Sequence, residues 1–424
     1  MEEYIRILLE QIRCKKAHAA IREEFCSHME EQIADNMAAG MSREEAETAA
    51  VKDMGSPVET GISLDRIHRP QMAWKILGIM AVITVLANVL MHSPAFTGYS
   101  IAGFALMLLV YRLDYTFVGK YSTIIAAVFL LLGFAVLLGV PGRNLYHSMF
   151  PLMMLYVPVY AAVVYKYHQT GYDGIFKCAL WLLAPVVLAW RMPSLPLAGI
   201  LFLTMFIVLT LAIQKGWFSV DRKKAIRLLW AVVAGILALA VLTFLCFGMR
   251  EFQYERIKAW LTASGDGAFQ MQAVSRYLGG STWIGKSAEY QEIIHTLPDW
   301  DSGFCFTYFA ASYGKIVGVG ICTLLLLLVC AALFACTRQK NQLGMMMGVA
   351  STMILGINTS VNLLENAGVL LITQTFLPFF SAGGSSILVS YILVGMILSV
   401  YRYRNLCAVH ANVKLPSFKM TIDL

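Results

Sequence analysis

Charge is scarce in this sequence. Only 14% of its 424 residues are Asp, Glu, Lys or Arg and 58% are hydrophobic, whereas soluble proteins carry about 25% charged residues. That balance excludes an ordinary soluble enzyme and points to a chain that crosses a membrane many times. Acids are scarcest after residue 70, where 12 face 24 Lys/Arg; the first 70 residues hold 14 against nine. The nine cysteines form no Cys-x-x-Cys pair, and most stand in apolar runs (Cys178, Cys246, Cys322, Cys330). Neither a disulfide framework nor a zinc site is expected. The eight His are scattered and no metal constellation emerges. The opening 70 residues are polar, so no cleavable signal peptide is expected. The net charge of +7 is not a nucleic-acid footprint, because the cations sit in short loops beside apolar segments, where membrane orientation explains them.

Long apolar runs are abundant. Ten segments are apolar over about 17–25 residues, the length that spans a bilayer. They fall at roughly 73–91, 95–113, 122–140, 149–167, 175–190, 197–214, 227–248, 315–336, 343–364 and 383–401, the fifth short and interrupted by Pro185. Arg112 and Lys120, Lys166 and Lys177, Lys215 with Arg222 to Arg227, Arg338 and Lys340, and Arg402 and Arg404 all fall on one side of that arrangement. An excess of Lys and Arg marks the cytoplasmic side. Both termini are therefore expected inside, and the long loop at about 249–304 outside. Seven of the 12 later acids lie in that loop: Glu251, Glu255, Asp266, Glu289, Glu292, Asp299 and Asp301. The expected fold is an all-α polytopic membrane protein of about ten transmembrane helices, with a large extracellular loop between helices 7 and 8 and a small N-terminal cytoplasmic helical domain. The expected boundaries are 1–70 for that domain, 71–408 for the membrane domain and 409–424 for a cytoplasmic tail.

Residues 1–70 read as helical. Ile5, Leu8, Leu9 and Ile12, then Ile21, Phe25, Met29 and Ile33, recur at helical spacing. Gly40 stops the second helix. Ser42 to Glu45 has capping-box spacing and opens a third, which Gly55-Ser56-Pro57 ends. Residues 65–70 read as a polar linker. With no nucleophile or metal cluster, the domain reads as a regulatory or interaction module.

Four stretches carry a resemblance. Phe252-Gln253-Tyr254-Glu255-Arg256-Ile257 is similar to a YQxxRI entry into a large loop, and Gly279-Gly280 with Gly285 to a GGxxGxG turn. Leu297-Pro298-Asp299 and Phe304-Cys305-Phe306 are similar to parts of LPExHTDFIF. Leu377-Pro378-Phe379-Phe380-Ser381-Ala382-Gly383-Gly384-Ser385-Ser386 matches LPFISYGGSS at eight of ten positions. In this order and spacing they resemble the SEDS family (shape, elongation, division and sporulation proteins such as FtsW, RodA and SpoVE). The first 70 residues resemble, more weakly, a helical permease-prefix domain.

The resemblance implies a bacterial cell-wall protein, multi-pass in the plasma membrane. It implies polymerisation of a lipid-linked peptidoglycan precursor (lipid II) by an inverting glycosyltransferase, together with a class B penicillin-binding protein. No cofactor is implied beyond a divalent cation carried by the substrate diphosphate. The sequence departs from the family at several places, among them 149–154, 190–195, Leu371 and Ala382, and most tellingly at Gly303, which stands where the family has the Asp of HTDF. Asp301 lies two residues earlier and Asp299 four. The candidate catalytic residues are Asp301 and Asp299, as a displaced general base or as ordinary turn acids. The candidate substrate-binding residues are Gln253, Arg256, Lys286, Glu365, Gly383, Gly384, Ser385 and Ser386. Arg256 reads equally as a diphosphate clamp, with Lys286 second, or as an interfacial anchor. The Gly383–Ser386 run reads as an anion site at a helix start or as close helix packing. Three functions stay open: the glycosyltransferase, a non-catalytic lipid-binding or regulatory protein, and a lipid-precursor transporter.

Overall fold

The computed structural model describes residues 1–139, 143–192, 194–247, 251–262, 268–339, 341–373 and 375–404. They form two compact units, one built on residues 1–71 and the other on 72–402.

The first unit contains helices α1 (Glu2–Glu10), α2 (His18–Ala38), α3 (Arg43–Asp53) and α4 (Pro57–His68). Its core is the expected apolar spacing made solid: Ile5, Leu8, Ile21 and Met29 are at most 2% exposed. The capping box forms as its spacing predicts, with Glu45 N–H donating to Ser42 Oγ and Ser42 N–H to Glu45 Oε2. The helix ends as expected, with Met54 as its C-cap and Gly55 at φ 72°. The same stretch also starts a helix that was not expected: Ser56 caps α4, accepting from Glu59 N–H at 3.4 Å, and Pro57 fills the first helical position. Proline suits that position because its missing N–H would be unpaired there anyway. The residues expected as linker from 65 onward therefore begin inside a helix. Asp65 is nearly buried and accepts from Arg13 N–H at 2.9 Å.

The second unit runs α5 (Trp74–Met91), α6 (Pro94–Arg112), α7 (Tyr115–Lys120), α8 (Ser122–Gly139), α9 (Arg143–Met154), α10 (Tyr156–Lys166), α11 (Gly171–Arg191), α12 (Leu195–Gln214), α13 (Arg222–Phe247), α14 (Glu251–Thr262), α15 (Phe269–Gly280), α16 (Glu292–Thr296), α17 (Cys305–Tyr313), α18 (Lys315–Thr337), α19 (Gln342–Asn366) and α20 (Gly384–Arg402). Every expected apolar segment falls on helix. Among the described residues, eight stretches are long and apolar enough to cross a membrane, with α8 just short of that length. The fifth segment is longer than expected, because α11 continues through Pro185 for 21 residues. A membrane helix tolerates proline where its neighbours re-satisfy the freed backbone. The fourth is broken at Leu155, between α9 and α10.

The spans sort into inner and outer helices. Within their most apolar 18 residues, Met149–Lys166, α12, α19 and α20 are at least 61% buried, whereas α5, α6, α11 and α18 are at most 33% buried. Glycines let α6 and α20 approach closely: a Cβ at Gly395 would lie 2.9 Å from Met107 O, and one at Gly384 2.8 Å from the Tyr99 ring. Polar groups occur within the spans. Tyr391 of α20 meets Thr84 of α5 at 2.7 Å, and Asn88 donates to Ser100 of α6 at 3.0 Å.

Candidate functional site

The stretch between α16 and α17 is a tight, well-anchored turn. Leu297 is buried, and Asp299 adopts the left-handed conformation at φ 61°, which Asp tolerates better than most residues. The Asp299 carbonyl accepts from Ser302 N–H at 3.0 Å and Phe304 N–H at 3.2 Å, which turns the chain into α17. Trp300 packs on the Tyr308 ring, 4.6 Å between centroids. Beneath lies an apolar cluster that includes Val274, Tyr277, Ile293, Leu297 and Phe304.

What holds this turn in place is a polar face on α19. Asn358, Asn362, Glu365 and Asn366 are spaced so that they share one side of the helix, and each is at most 1% exposed. Asn362 Nδ2 donates to Gly303 O at 3.0 Å and to Thr375 O at 2.5 Å. Asn366 Nδ2 also donates to Gly303 O, at 3.0 Å, while its Oδ1 accepts from Thr307 Oγ1 at 2.7 Å. Asn358 Nδ2 donates to Phe376 O at 2.9 Å. Glu365 accepts from the Thr373 hydroxyl on Oε1 and from Thr375 N–H and hydroxyl on Oε2. One helix face thus grips two segments that are far apart in sequence. Buried amides and carboxylates demand such partners.

The second gripped segment leads into α20. Ser381 Oγ donates to Ser302 O at 2.8 Å and accepts from Leu377 N–H at 2.7 Å. Ala382 N–H donates to Asp301 O at 2.8 Å. The two motif stretches of the sequence therefore touch through their backbones, Asp301 against Ala382. Cys305 is fully buried, with Sγ 3.6 Å from Ser381 Oγ, and burial pushes its thiol up to about 12. It is a packing residue, since only a thiolate is nucleophilic.

The candidate residues separate on these grounds. Asp301 is half-buried; burial raises its carboxyl above the ordinary range, and the nearby Asp299 charge adds to this. Asp299 is exposed. Gly383 and Gly384 lie directly after Ala382, and Ser386 is buried with its hydroxyl donating to Gly383 O at 2.6 Å. Ser385 is half-buried beside them. Lys286 is exposed, and its ammonium sits 5.0 Å from the Tyr290 ring centroid. It is engaged there in a cation–π contact. The side chains of Gln253 and Arg256 lie outside the described residues. Glu365 is a buried structural acceptor, and it also lines a cavity of about 280 Å³ between α12 and α19, with Ile200, Leu203, Ile357, Val361 and Leu371. Among the described residues no three of His, Cys, Asp and Glu gather as metal ligands. Sequence reasoning missed Asn358, Asn362 and Asn366. Their signal was present: three asparagines at intervals of four on an apolar helix.

An all-α membrane unit of this architecture, with a loop turn latched to the start of its last helix, defines the class. Over 78% of its length this chain's fold is similar to 98% of a chain of a peptidoglycan synthase complex that coordinates polymerization and crosslinking, at a TM-score of 0.63 and 22% identity. It is also similar to the rod shape determining protein RodA of Thermus thermophilus, at a TM-score of 0.54 and 20% identity over 78% and 97%. Residues 148–406 match the model of the FtsW/RodA/SpoVE cell cycle proteins, and the chain belongs to that family. Among curated relatives it is 26% identical to a probable peptidoglycan glycosyltransferase FtsW of Thioalkalivibrio sulfidiphilus, over 59% of this chain and 61% of that protein. It is 28% identical to the corresponding protein of Enterococcus hirae over 50% and 58%, and 25% identical to a putative one of Mesostigma viride over 40% and 42%. The chain spans about half the length of the curated relatives it matches.

Proposed function

We propose that this chain serves bacterial peptidoglycan synthesis by binding a lipid-linked sugar diphosphate at the junction of the 297–304 turn and the start of α20, with Asp301 as its acid–base group. The observation that carries the reading is the 2.8 Å hydrogen bond from Ala382 N–H to Asp301 O, which sets the loop acid beside the Gly383–Ser386 helix start. The first amides of a helix have no intrahelical partner and favour anions, so this start suits a diphosphate. A half-buried carboxyl with a raised pKa suits removal of a proton from a sugar hydroxyl. The hydroxyl proton would pass to Asp301, the freed oxygen would bond to the anomeric carbon, and the bond to the diphosphate would break with inversion. The apolar cavity between α12 and α19 suits the lipid chain. In this reading the 249–304 loop faces outward, both termini are cytoplasmic, and a class B penicillin-binding protein is the partner. A divalent cation would arrive with the diphosphate.

Gly303 favours a second reading. The position that carries the family's Asp is buried here, and its carbonyl is occupied by Asn362 and Asn366. On that reading the protein binds the precursor and regulates synthesis without catalysing it. Lipid II polymerisation by the purified full-length protein, with and without a class B penicillin-binding protein, separates the two. Activity that Asp301→Ala abolishes while lipid II binding persists supports the base. A wild type that binds lipid II, stays inactive and gains activity as Gly303→Asp supports the regulator. Absence of lipid II binding refutes both.

A further inference from the structure

The loop carries a rigid turn whose tip is apolar and uncovered. Residues 282–287 are held on the start of α18 by backbone hydrogen bonds. Lys315 N–H donates to Thr282 O at 2.9 Å and Ile316 N–H to Trp283 O at 3.2 Å, while Gly285 N–H donates to Tyr313 O at 3.2 Å and Ser287 N–H to Ala311 O at 2.8 Å. Gly314 makes the approach possible: its φ is +103°, and a Cβ there would lie 2.6 Å from Trp283 O. The Thr282 hydroxyl closes the turn by donating to Gly285 O at 3.0 Å. Yet Trp283 is 68% exposed and Ile284 78% exposed. A turn so firmly fixed does not leave two large apolar side chains in water by looseness.

What lies beside them is the face that α18 presents to lipid. Ile316, Val319, Leu326 and Leu327 are all at least half exposed along that spanning helix. Trp283 is hydrogen-bonded directly onto its first turn through Ile316 N–H and Ile284 follows it in the turn, so the pair extends this surface past the helix end. Lys286 follows them in sequence, and Lys315, whose N–H is bonded to Thr282 O, sends its ammonium to Gly279 O at 3.3 Å. An indole beside lysines at a span terminus suits the headgroup level, where tryptophan's apolar body and polar N–H are both accommodated.

We propose that the Trp283–Ile284 turn is a membrane anchor that inserts into the headgroup–acyl boundary of the leaflet on the loop's side. The occupant is lipid, because the exposed side chains continue a lipid-facing helix. This inference rests on the spanning helices alone and stands independently of the precursor-binding site. The anchor would fix the height of the 282–316 segment, and with it α17 and the turn that carries Asp301.

The test uses the full chain labelled with 5-fluorotryptophan in phosphatidylcholine nanodiscs. The sequence holds eight Trp, and Trp283→Phe identifies the resonance that belongs to this site. Its unchanged thermal transition would verify folding. Two relaxation probes are compared: a phosphatidylcholine with a doxyl group near the headgroup end of its acyl chain, and a water-soluble gadolinium chelate. The expected result is that the Trp283 resonance broadens several-fold more with the lipid probe. Broadening that is equal or greater with the chelate would place the indole in water and overturn the proposal. Broadening by neither would mean that protein covers it, and would overturn the proposal as well.

Discussion

Asn366→Leu is the sharpest test of the latch on α19. Leucine has the same branched skeleton of heavy atoms as asparagine, with somewhat bulkier ends, but offers no hydrogen bond. In the wild type, Asn366 donates to Gly303 O and Asn362 O, at 3.0 and 2.9 Å, and accepts the Thr307 hydroxyl at 2.7 Å. The Gly303 carbonyl keeps Asn362 at 3.0 Å, and the Asn362 carbonyl lies in a helix, so those losses are partly covered. Thr307 is 0% exposed, and its hydroxyl loses its acceptor outright. An orphaned buried polar group costs about 1–3 kcal/mol. Hydrogen bonds between helices of membrane proteins average only about 0.6 kcal/mol, because alternative partners exist. Here neither water nor lipid reaches the group, so about 2–3 kcal/mol is expected for Asn366→Leu. The companion Asn366→Leu/Thr307→Val removes both partners and should recover at least about 1 kcal/mol of that loss. Reversible unfolding in mixed micelles, followed as a double-mutant cycle, reads both numbers. If Asn366→Leu costs under about 0.5 kcal/mol, or the double variant costs the sum of its singles, the latch argument is wrong.

Two further predictions concern single side chains. Burial holds the Asp301 carboxyl above its ordinary value of 3.8, so the folded state binds its proton more tightly than the unfolded chain does. That favourable contribution is present below the ordinary value and is lost as pH rises through the folded value. Asp301→Asn should therefore be at least as stable as wild type near neutral pH, with any gain shrinking toward about pH 4; a melting-temperature difference that is flat with pH would refute this. In the first unit, Ser42→Ala removes the capping box of α3 and should cost about 1 kcal/mol, read as an earlier unfolding step of residues 1–71, with no change counting against the cap.

The spans were legible because the bilayer imposes one rule, about 20 apolar residues per crossing, and each of the ten expected segments lies on helix. The break at Leu155 was not legible, since an apolar run reads the same whether its backbone is continuous or interrupted. The helix over 57–68 was missed because Ser56-Pro57 carries two messages, stop and start, and only packing of Asp65 against Arg13 shows that the second prevails. The motif letters singled out Asp301 and Gly383, but letters cannot show that Asp301 meets Ala382 through the backbone. Lys286 illustrates the converse: its charge suggested an anion clamp, and local geometry gives it to Tyr290. The asparagines of α19 are hard to read from letters, because an amide inside an apolar run shows its spacing but not the backbone carbonyls of Gly303, Thr375 and Phe376 that it meets.

The latch has a consequence for biosynthesis. The turn at 297–304 is translated well before the groups that hold it, since Asn362, Asn366, Ser381 and Ala382 all come later in the chain. A nascent chain inserted up to the end of α18 has its loop but none of these anchors, and the Gly303 carbonyl has no asparagine to accept from. The junction can close only after α19 is in place and residue 382 has emerged. The site is thus among the last parts of this unit to assemble, and a chain arrested before that point would present an open loop that differs from the finished protein.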